Sequence, residues 1–265
     1  MTPPFDFLVA FIITALIVYC SYKLRFLTIS GSIASTIMGT LVLGWGGLNW
    51  AVVLLWFFLS SSWLSRIDKK QKALLNFMWE KGDKRDAWQV LANGSVASIL
   101  VVVHKISPEP IWYLMFVSTM AAVTADTWGT EIGVLSNSSV RSILNFKKVP
   151  KGTSGGITLM GTTASLLGSL SIAISGILFP FAPYKMKLEA MVFITLAGLL
   201  ASLADSLLGA TIQGQYLCVI CNKITESKLH CNQNSTLKRG WKFINNDMVN
   251  FLCSVFGMFF GYIFS

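Results

Sequence analysis

Charge is what this sequence has least of. Asp, Glu, Lys and Arg make up 12% of its 265 residues, about half the share of a water-soluble domain, while 54% of the residues are hydrophobic. Eighteen Phe and nine Trp stand against those few charges, which excludes a soluble globule and equally excludes a disordered chain. A disulfide framework is missing as well. Cys20 and Cys253 lie in apolar runs that suit inert buried thiols, and the other three Cys fall within fourteen residues of one another. The first residues, Met1 to Asp6, have neither a basic stretch nor a small-residue cleavage site after them, so the first apolar run reads as a retained helix rather than a signal peptide.

What is there is a series of apolar runs close to the length of about 20 residues that spans a bilayer. Eight can be read, at about 5–22, 27–44, 48–64, 88–104, 111–125, 156–179, 188–209 and 247–264. The sequence thus predicts an all-α integral membrane protein with about eight transmembrane helices, a single polytopic unit over 1–265. Lys and Arg test the count. Eighteen of them fall on one set of alternating loops, and only Lys105, Lys185 and Lys187 fall on the other. The positive-inside rule then puts the first set in the cytoplasm and both termini outside, with a prokaryotic plasma membrane as the expected location. The net charge of +9 is accounted for by this bias, so no nucleic-acid partner is implied.

Two spans carry small residues at helical spacing: Ser32, Ser35, Thr36, Gly39 and Thr40 in the second, and Gly161, Ser165, Gly168 and Ser169 in the sixth. Such stripes let helix backbones approach inside a bilayer. Residues 65–87 form the longest early break, and Ile67, Leu74, Leu75 and Met78 lie near one side of a helix whose other side is charged. That pattern predicts an interfacial amphipathic segment on the cytoplasmic surface.

The twelve acids are unevenly distributed. Asp86, Asp126, Glu131, Asp205 and Asp247 lie at or near the cytoplasmic ends of spans, among Asn, Gln, Ser, Thr and Gly; Glu226 sits apart. Following Arg85, the residues Asp86, Gln89 and Asn93 share one helix face, a polar stripe that needs partners inside a membrane. Asp126 and Glu131 would diverge by roughly 140° on an unbroken helix, but Gly129 and Gly133 allow a break. Two carboxylates with Thr hydroxyls suit a hard cation such as Mg²⁺. Lys151-Gly152-Thr153-Ser154-Gly155-Gly156 runs straight into the sixth span, where backbone N–H groups and a helix N-terminus can face an anion. It does not match the P-loop pattern. Asp205 closes the seventh span, and Asn246, Asp247 and Asn250 open the eighth; Asp247 could also be only a cap or first-turn acid.

Together these segments resemble the membrane family that contains plant phytyl-phosphate kinase. The resemblance is carried by Arg85…Gln89-Val90-Leu91-Ala92-Asn93-Gly94, Ala125-Asp126-Thr127-Trp128…Glu131-Ile132-Gly133, Gly152-Thr153-Ser154-Gly155-Gly156…Gly161-Thr162, Asp205-Ser206…Gly209-Ala210…Gln213 and Asn246-Asp247…Val249-Asn250. It covers roughly residues 30–250 in the same motif order, and the family is distantly similar to dolichol kinases and CDP-diacylglycerol synthases. The resemblance implies a CTP or ATP donor, Mg²⁺ and a prenyl- or phytyl-phosphate acceptor converted to its diphosphate. On that reading Asp126, Glu131 and Asp205 hold the metal and do the chemistry. Arg85, Asp86, Gln89, Asn93, the loop Lys151 to Gly156, Asn246, Asp247 and Asn250 bind nucleotide and phosphate. A cytidylyltransferase would use nearly the same residues. A transporter would instead place polar residues at mid-membrane with access from both sides.

A phosphate-monoester acceptor already carries a nucleophilic oxygen near neutral pH, so no strong base is demanded, and neither of the two His is placed to be one: His104 falls near the outer side. His230 belongs to a cytoplasmic loop, 210–246, in which Cys218-Val219-Ile220-Cys221 is followed by His230-Cys231. A CxxC pair with two more N or S ligands makes a complete tetrahedral set for structural zinc, although adjacent His230 and Cys231 must both turn inward. Free thiols and a redox pair are the other readings.

Overall fold

A computed structural model describes residues 6–68, 72, 84–177 and 188–264. Eight helices of roughly transmembrane scale run through the described residues, as the apolar runs predict. They are α1 (Phe7–Lys23), α2 (Ile29–Leu41), α3 (Leu48–Leu64), α4 (Ala87–Ile106), α5 (Pro110–Gly133), α6 (Leu159–Ile177), α7 (Leu188–Thr211) and α8 (Asn246–Ile263). α2 continues as a π-helical turn, Val42–Gly46, and breaks at Gly47, whose φ of 78° suits a residue without Cβ. With that turn included, α2 is one of four helices long and apolar enough to cross a bilayer; α4, α6 and α7 are the others, and α1 and α3 are shorter apolar helices. The amphipathic segment predicted at 65–87 lies mostly outside the described residues.

Several helices begin where a side chain can take up orphan N–H groups. Asp6 accepts from Leu8 and Val9, and Thr28 accepts from Gly31. Asp86 and Gln89 form a reciprocal capping box at the start of α4. Asn245 rather than Asp247 caps α8, accepting the Met248 N–H at 3.1 Å. α5 opens on Pro110, whose missing N–H costs nothing at that position.

α5 is the axis of the bundle. It packs against α3, α4, α6, α7 and α8, and its middle, Met115 to Ala125, is buried on every face. Small residues make this possible. A Cβ on Gly257 would sit 2.9 Å from the Ser118 carbonyl, and one on Gly161 would sit 2.8 Å from that of Gly129, so α8 and α6 lie directly on the α5 backbone. The sixth-span stripe therefore packs helices, with Ser165 facing Ser202 and Ser169 donating to the Thr195 carbonyl. At one end of the bundle, Trp50 packs against His104, Tyr113 and Phe116 at ring separations of 4.7–5.0 Å, and the Tyr113 hydroxyl donates to Gly176.

The connections at the other end are not plain loops. β1 (Arg141–Ser142) pairs antiparallel with β2 (Gly156–Ile157). After α7, β3 (Gln215–Leu217) lies between β4 (Ile224–Thr225) and β7 (Thr236–Arg239), and β5 (Leu229–His230) pairs with β6 (Gln233–Asn234). Strands of two to four residues leave no alternation long enough to read in a sequence, so an all-α description misses them.

Candidate functional site

Helices that alternate in direction bring every second terminus to the same end, and there they surround a cavity of about 550 Å³. Its wall is built from the C-terminal part of α5 (Asp126, Thr127, Glu131), the start of α4 with the residue before it (Arg85, Gln89, Asn93) and the end of α7 (Asp205, Ser206, Gly209). The first turns of α8 (Asn246, Asp247, Asn250) and the loop Gly152 to Gly156 complete it. All five polar segments singled out in the sequence thus meet, across as many as 165 positions of chain.

The carboxylates divide into two groups. Asp126 and Asp205 adjoin closely enough for their side chains to interact directly, and Glu226 adds a third negative charge beside Asp205. Asp205 Oδ2 is buried with no hydrogen-bond partner among the described residues. Glu131 faces elsewhere. Its Oε1 accepts from Ser65 Oγ at 2.5 Å and its Oε2 lies 2.6 Å from Lys72 Nζ, which also donates to the Leu64 carbonyl. Glu131 is thus already tied to Lys72 and Ser65, while Asp126 and Asp205 are brought together. Arg85 stacks over the rings of Phe57 and Phe58. Burial pushes its guanidinium down to about 10, with the charge of Glu131 working in the other direction.

The glycine-rich loop is folded tightly. Gly152 and Gly155 have φ of 81° and 78°; Gly156 N–H donates to the Thr153 carbonyl, and the Gly155 carbonyl accepts from Ile143. Gly155 rests on α7, where a Cβ would meet the Ser206 carbonyl at 2.6 Å and Ala210 Cα at 2.7 Å. Thr158 Oγ1 accepts the Gly161 N–H and so starts α6 beside the loop. Thr153, Ser154 and the three glycines line the cavity; Lys151 is not part of the lining. Asp86 is not part of it either, because capping α4 turns that carboxylate onto the Gln89 N–H. Gln89 spends its own Oε1 on the Asp86 N–H, and Asn93 donates to the Gln89 carbonyl.

Two lining residues escape a sequence reading. Lys72 belongs to a charged stretch that reads as solvated surface. Glu226 has no polar motif around it, yet its Oε1 accepts from Ser154 Oγ at 2.7 Å and from Gln213 Nε2 at 2.8 Å. Gln213, the last residue of the α7 motif quoted above, lines the cavity as well.

Beyond the cavity, Cys218, Cys221, His230 and Cys231 form a cluster able to hold a metal ion such as zinc, their ligand atoms all within 4.8 Å of one another. The backbone N–H of Cys221 is the main influence that lowers the Cys218 thiol to about 6, whereas desolvation raises the Cys231 thiol to about 11.

Comparison with known proteins agrees with this architecture. Residues 12–258 match the family described as integral membrane protein DUF92. Protein PGR of Arabidopsis thaliana is 32% identical over 274 aligned residues, covering 95% of this chain and 93% of that protein. An uncharacterized membrane protein of Methanocaldococcus jannaschii, MJ0933, is 36% identical over 72% of this chain and 76% of its own. The chloroplastic protein VTE6 of Arabidopsis thaliana is 28% identical over 84% of this chain and 61% of its own. No solved structure matches. A family match over nearly the whole chain, together with a relative that aligns almost end to end, places this protein in the DUF92 family of integral membrane proteins.

Proposed function

We propose that this protein transfers a phosphoryl group from CTP or ATP to a prenyl or phytyl monophosphate, giving the diphosphate, at the cytoplasmic face of the membrane. The observation that carries the reading is the polar cavity in which Asp126, Asp205, Arg85, Lys72 and the Gly152–Gly156 loop converge. The motif resemblance to the family that contains plant phytyl-phosphate kinase supplies the substrate class. The Lys and Arg bias of the loops at that end of the bundle supports the cytoplasmic side.

Mg²⁺ fits the residues present. Asp126 and Asp205 are close carboxylates, and a buried Asp205 oxygen has no hydrogen-bond donor; hard oxygen ligands of this kind suit that ion. It would supply charge neutralisation for the donor phosphates. Glu131, which the resemblance would make a third ligand, instead positions Lys72. Arg85 and Lys72 oppose the negative charge of donor and acceptor, and Thr153, Ser154 and Asn250 offer further polar contacts along the wall. The acceptor phosphate is its own nucleophile, so the contribution of the protein is alignment and electrostatic compensation.

The test is turnover by the purified protein with Mg²⁺, each nucleoside triphosphate and a panel of prenyl phosphates. Release of nucleoside diphosphate with a prenyl diphosphate product supports the kinase. Release of inorganic diphosphate with a nucleotidyl-lipid product reassigns the protein as a cytidylyltransferase. Absence of turnover, combined with movement of the prenyl phosphate across proteoliposomes, makes it a transporter.

A further inference from the structure

The Cys/His cluster and the cavity share a stretch of backbone. A zinc site with bonds of about 2.3 Å has ligand–ligand separations of about 3.8 Å. Cys221 Sγ and Cys231 Sγ stand 3.6 Å and 3.2 Å from His230 Nδ1. Neighbouring His230 and Cys231 both reach the cluster because the chain reverses there. Cys231 and Asn232 have φ of 51° and 58°, between the paired residues His230 and Gln233. This is the backbone of a two-residue hairpin turn with both central residues left-handed. Asn accepts that conformation readily; Cys does not, and a strained residue held at such a point is a mark of a functional site.

The eight residues between Cys221 and His230 are tied down by short strand pairs at Ile224–Thr225 and Leu229 but bring little core: of 222–229 only Thr225 is buried. Yet this stretch delivers Glu226 to the cavity wall, where it bridges Ser154 of the glycine-rich loop and Gln213 at the end of α7. We propose that zinc bound by Cys218, Cys221, His230 and Cys231 closes this segment and holds Glu226 as a positioning residue that braces Ser154 and Gln213. For a short segment with two-residue strand pairs and little core, metal binding adds the order that burial does not supply. That Glu226 thereby shapes a nucleotide site rests on the function proposed above; the zinc site and the closed segment do not.

The full-length protein, purified in detergent under reducing conditions, should contain one zinc per chain by elemental analysis, and Cys221→Ser and Cys231→Ser proteins should contain none; a zinc-free wild type overturns the proposal. Withdrawal of zinc with a competing chelator should speed tryptic cleavage after Lys223 and Lys228, and added zinc should restore protection. Cleavage that ignores zinc overturns the closed segment. Equilibrium dialysis with labelled CTP and ATP should show a loss of affinity of about tenfold or more, the usual scale for an outer-shell partner, in the stripped wild type and in Glu226→Gln, which keeps its zinc. A zinc-loaded Glu226→Gln protein with unaltered affinity, beside a weakened stripped wild type, overturns the role of Glu226. Zinc-dependent protection in a wild type that binds neither nucleotide supports the closed segment and places the failure in the nucleotide reading.

Discussion

Glu131 Oε2 lies 2.6 Å from Lys72 Nζ, although 59 residues separate the two in the chain. The pair is a salt bridge with side-chain exposures of 22% and 9%. Lys72 comes from a stretch that composition reads as solvated, and Glu131 from a helix that composition reads as a metal site. Removing one member of a buried pair leaves an uncompensated charge, at a cost of about 3–5 kcal/mol, whereas replacing both with apolar residues is often far less harmful. Lys72→Met should therefore lower the Tm of the detergent-solubilised protein more than Lys72→Met/Glu131→Leu does. Thermal unfolding of the two single variants and the double variant measures the difference.

Asp205 faces the negative charge of both Asp126 and Glu226, an arrangement that a bound cation would relieve. Asp126→Asn and Asp205→Asn should leave insertion and purification intact and reduce turnover by at least 100-fold, the scale seen when an electrostatic group is removed from a transition state. Mg²⁺ should raise the Tm of the wild type, because a ligand that binds only the folded state stabilises it by mass action. Either variant should lose that response. A differential scanning measurement with and without Mg²⁺ checks it.

The glycine-rich loop can be separated into contact and fold. Gly155 is left-handed and pressed against Ser206 and Ala210, so a left-handed Cβ alone costs about 1–2 kcal/mol before any overlap is counted. Gly155→Val should lower folded yield and Tm, not merely nucleotide affinity. Lys151→Ala, outside the cavity lining, should weaken nucleotide binding less than Lys72→Met does. Parallel binding and unfolding measurements separate these effects.

The thiols predict a pH dependence of metal uptake. Cys231, raised to about 11, keeps its proton at neutral pH, while Cys218, lowered to about 6, has largely lost its own. A bound metal requires thiolate, so uptake at pH 7 must expel the Cys231 proton, and affinity should rise with pH from 6 to 8. Below pH 6 the Cys218 thiol competes as well and affinity should fall more steeply. Titration calorimetry of zinc in two buffers of different ionisation enthalpy measures the protons released.

Topology is open to direct labelling. Asn145 lies in a connection at the cavity end, exposed to solvent. Asn145→Cys, in a background with Cys20 replaced, should react with an impermeant thiol reagent only when the cytoplasmic side is accessible, as the eighteen-to-three division of Lys and Arg requires.

The helices were legible because apolar runs of bilayer length announce themselves; α4, α6 and α7 fall within a few residues of the predicted spans. α8 matches its predicted span to within one residue, and α5 begins as predicted but runs eight residues past the predicted end. Their polar ends line the cavity, and neither reaches the hydropathy of a simple span, since a helix enclosed by other helices need not match lipid. The meeting of the five motifs was legible from the alternation of the spans. The fine structure was not. Glu226 and Lys72 act through partners 72 and 59 residues away, and no local pattern records such a pairing. The crowding of His230 against Cys231 looked like an obstacle because a sequence carries no φ angles; two left-handed residues remove it.

The aromatic packing of Trp50, Tyr113 and Phe116 at the far end of the bundle has a kinetic corollary. With that end filled by interlocked rings, the cavity is confined to the other end of the bundle. On the function proposed above, substrate and product of the phosphoryl transfer exchange at that end of the bundle. On the same proposal, nucleoside diphosphate and nucleoside triphosphate share one site, so product should compete with donor, and turnover should slow as product accumulates well before the donor is exhausted.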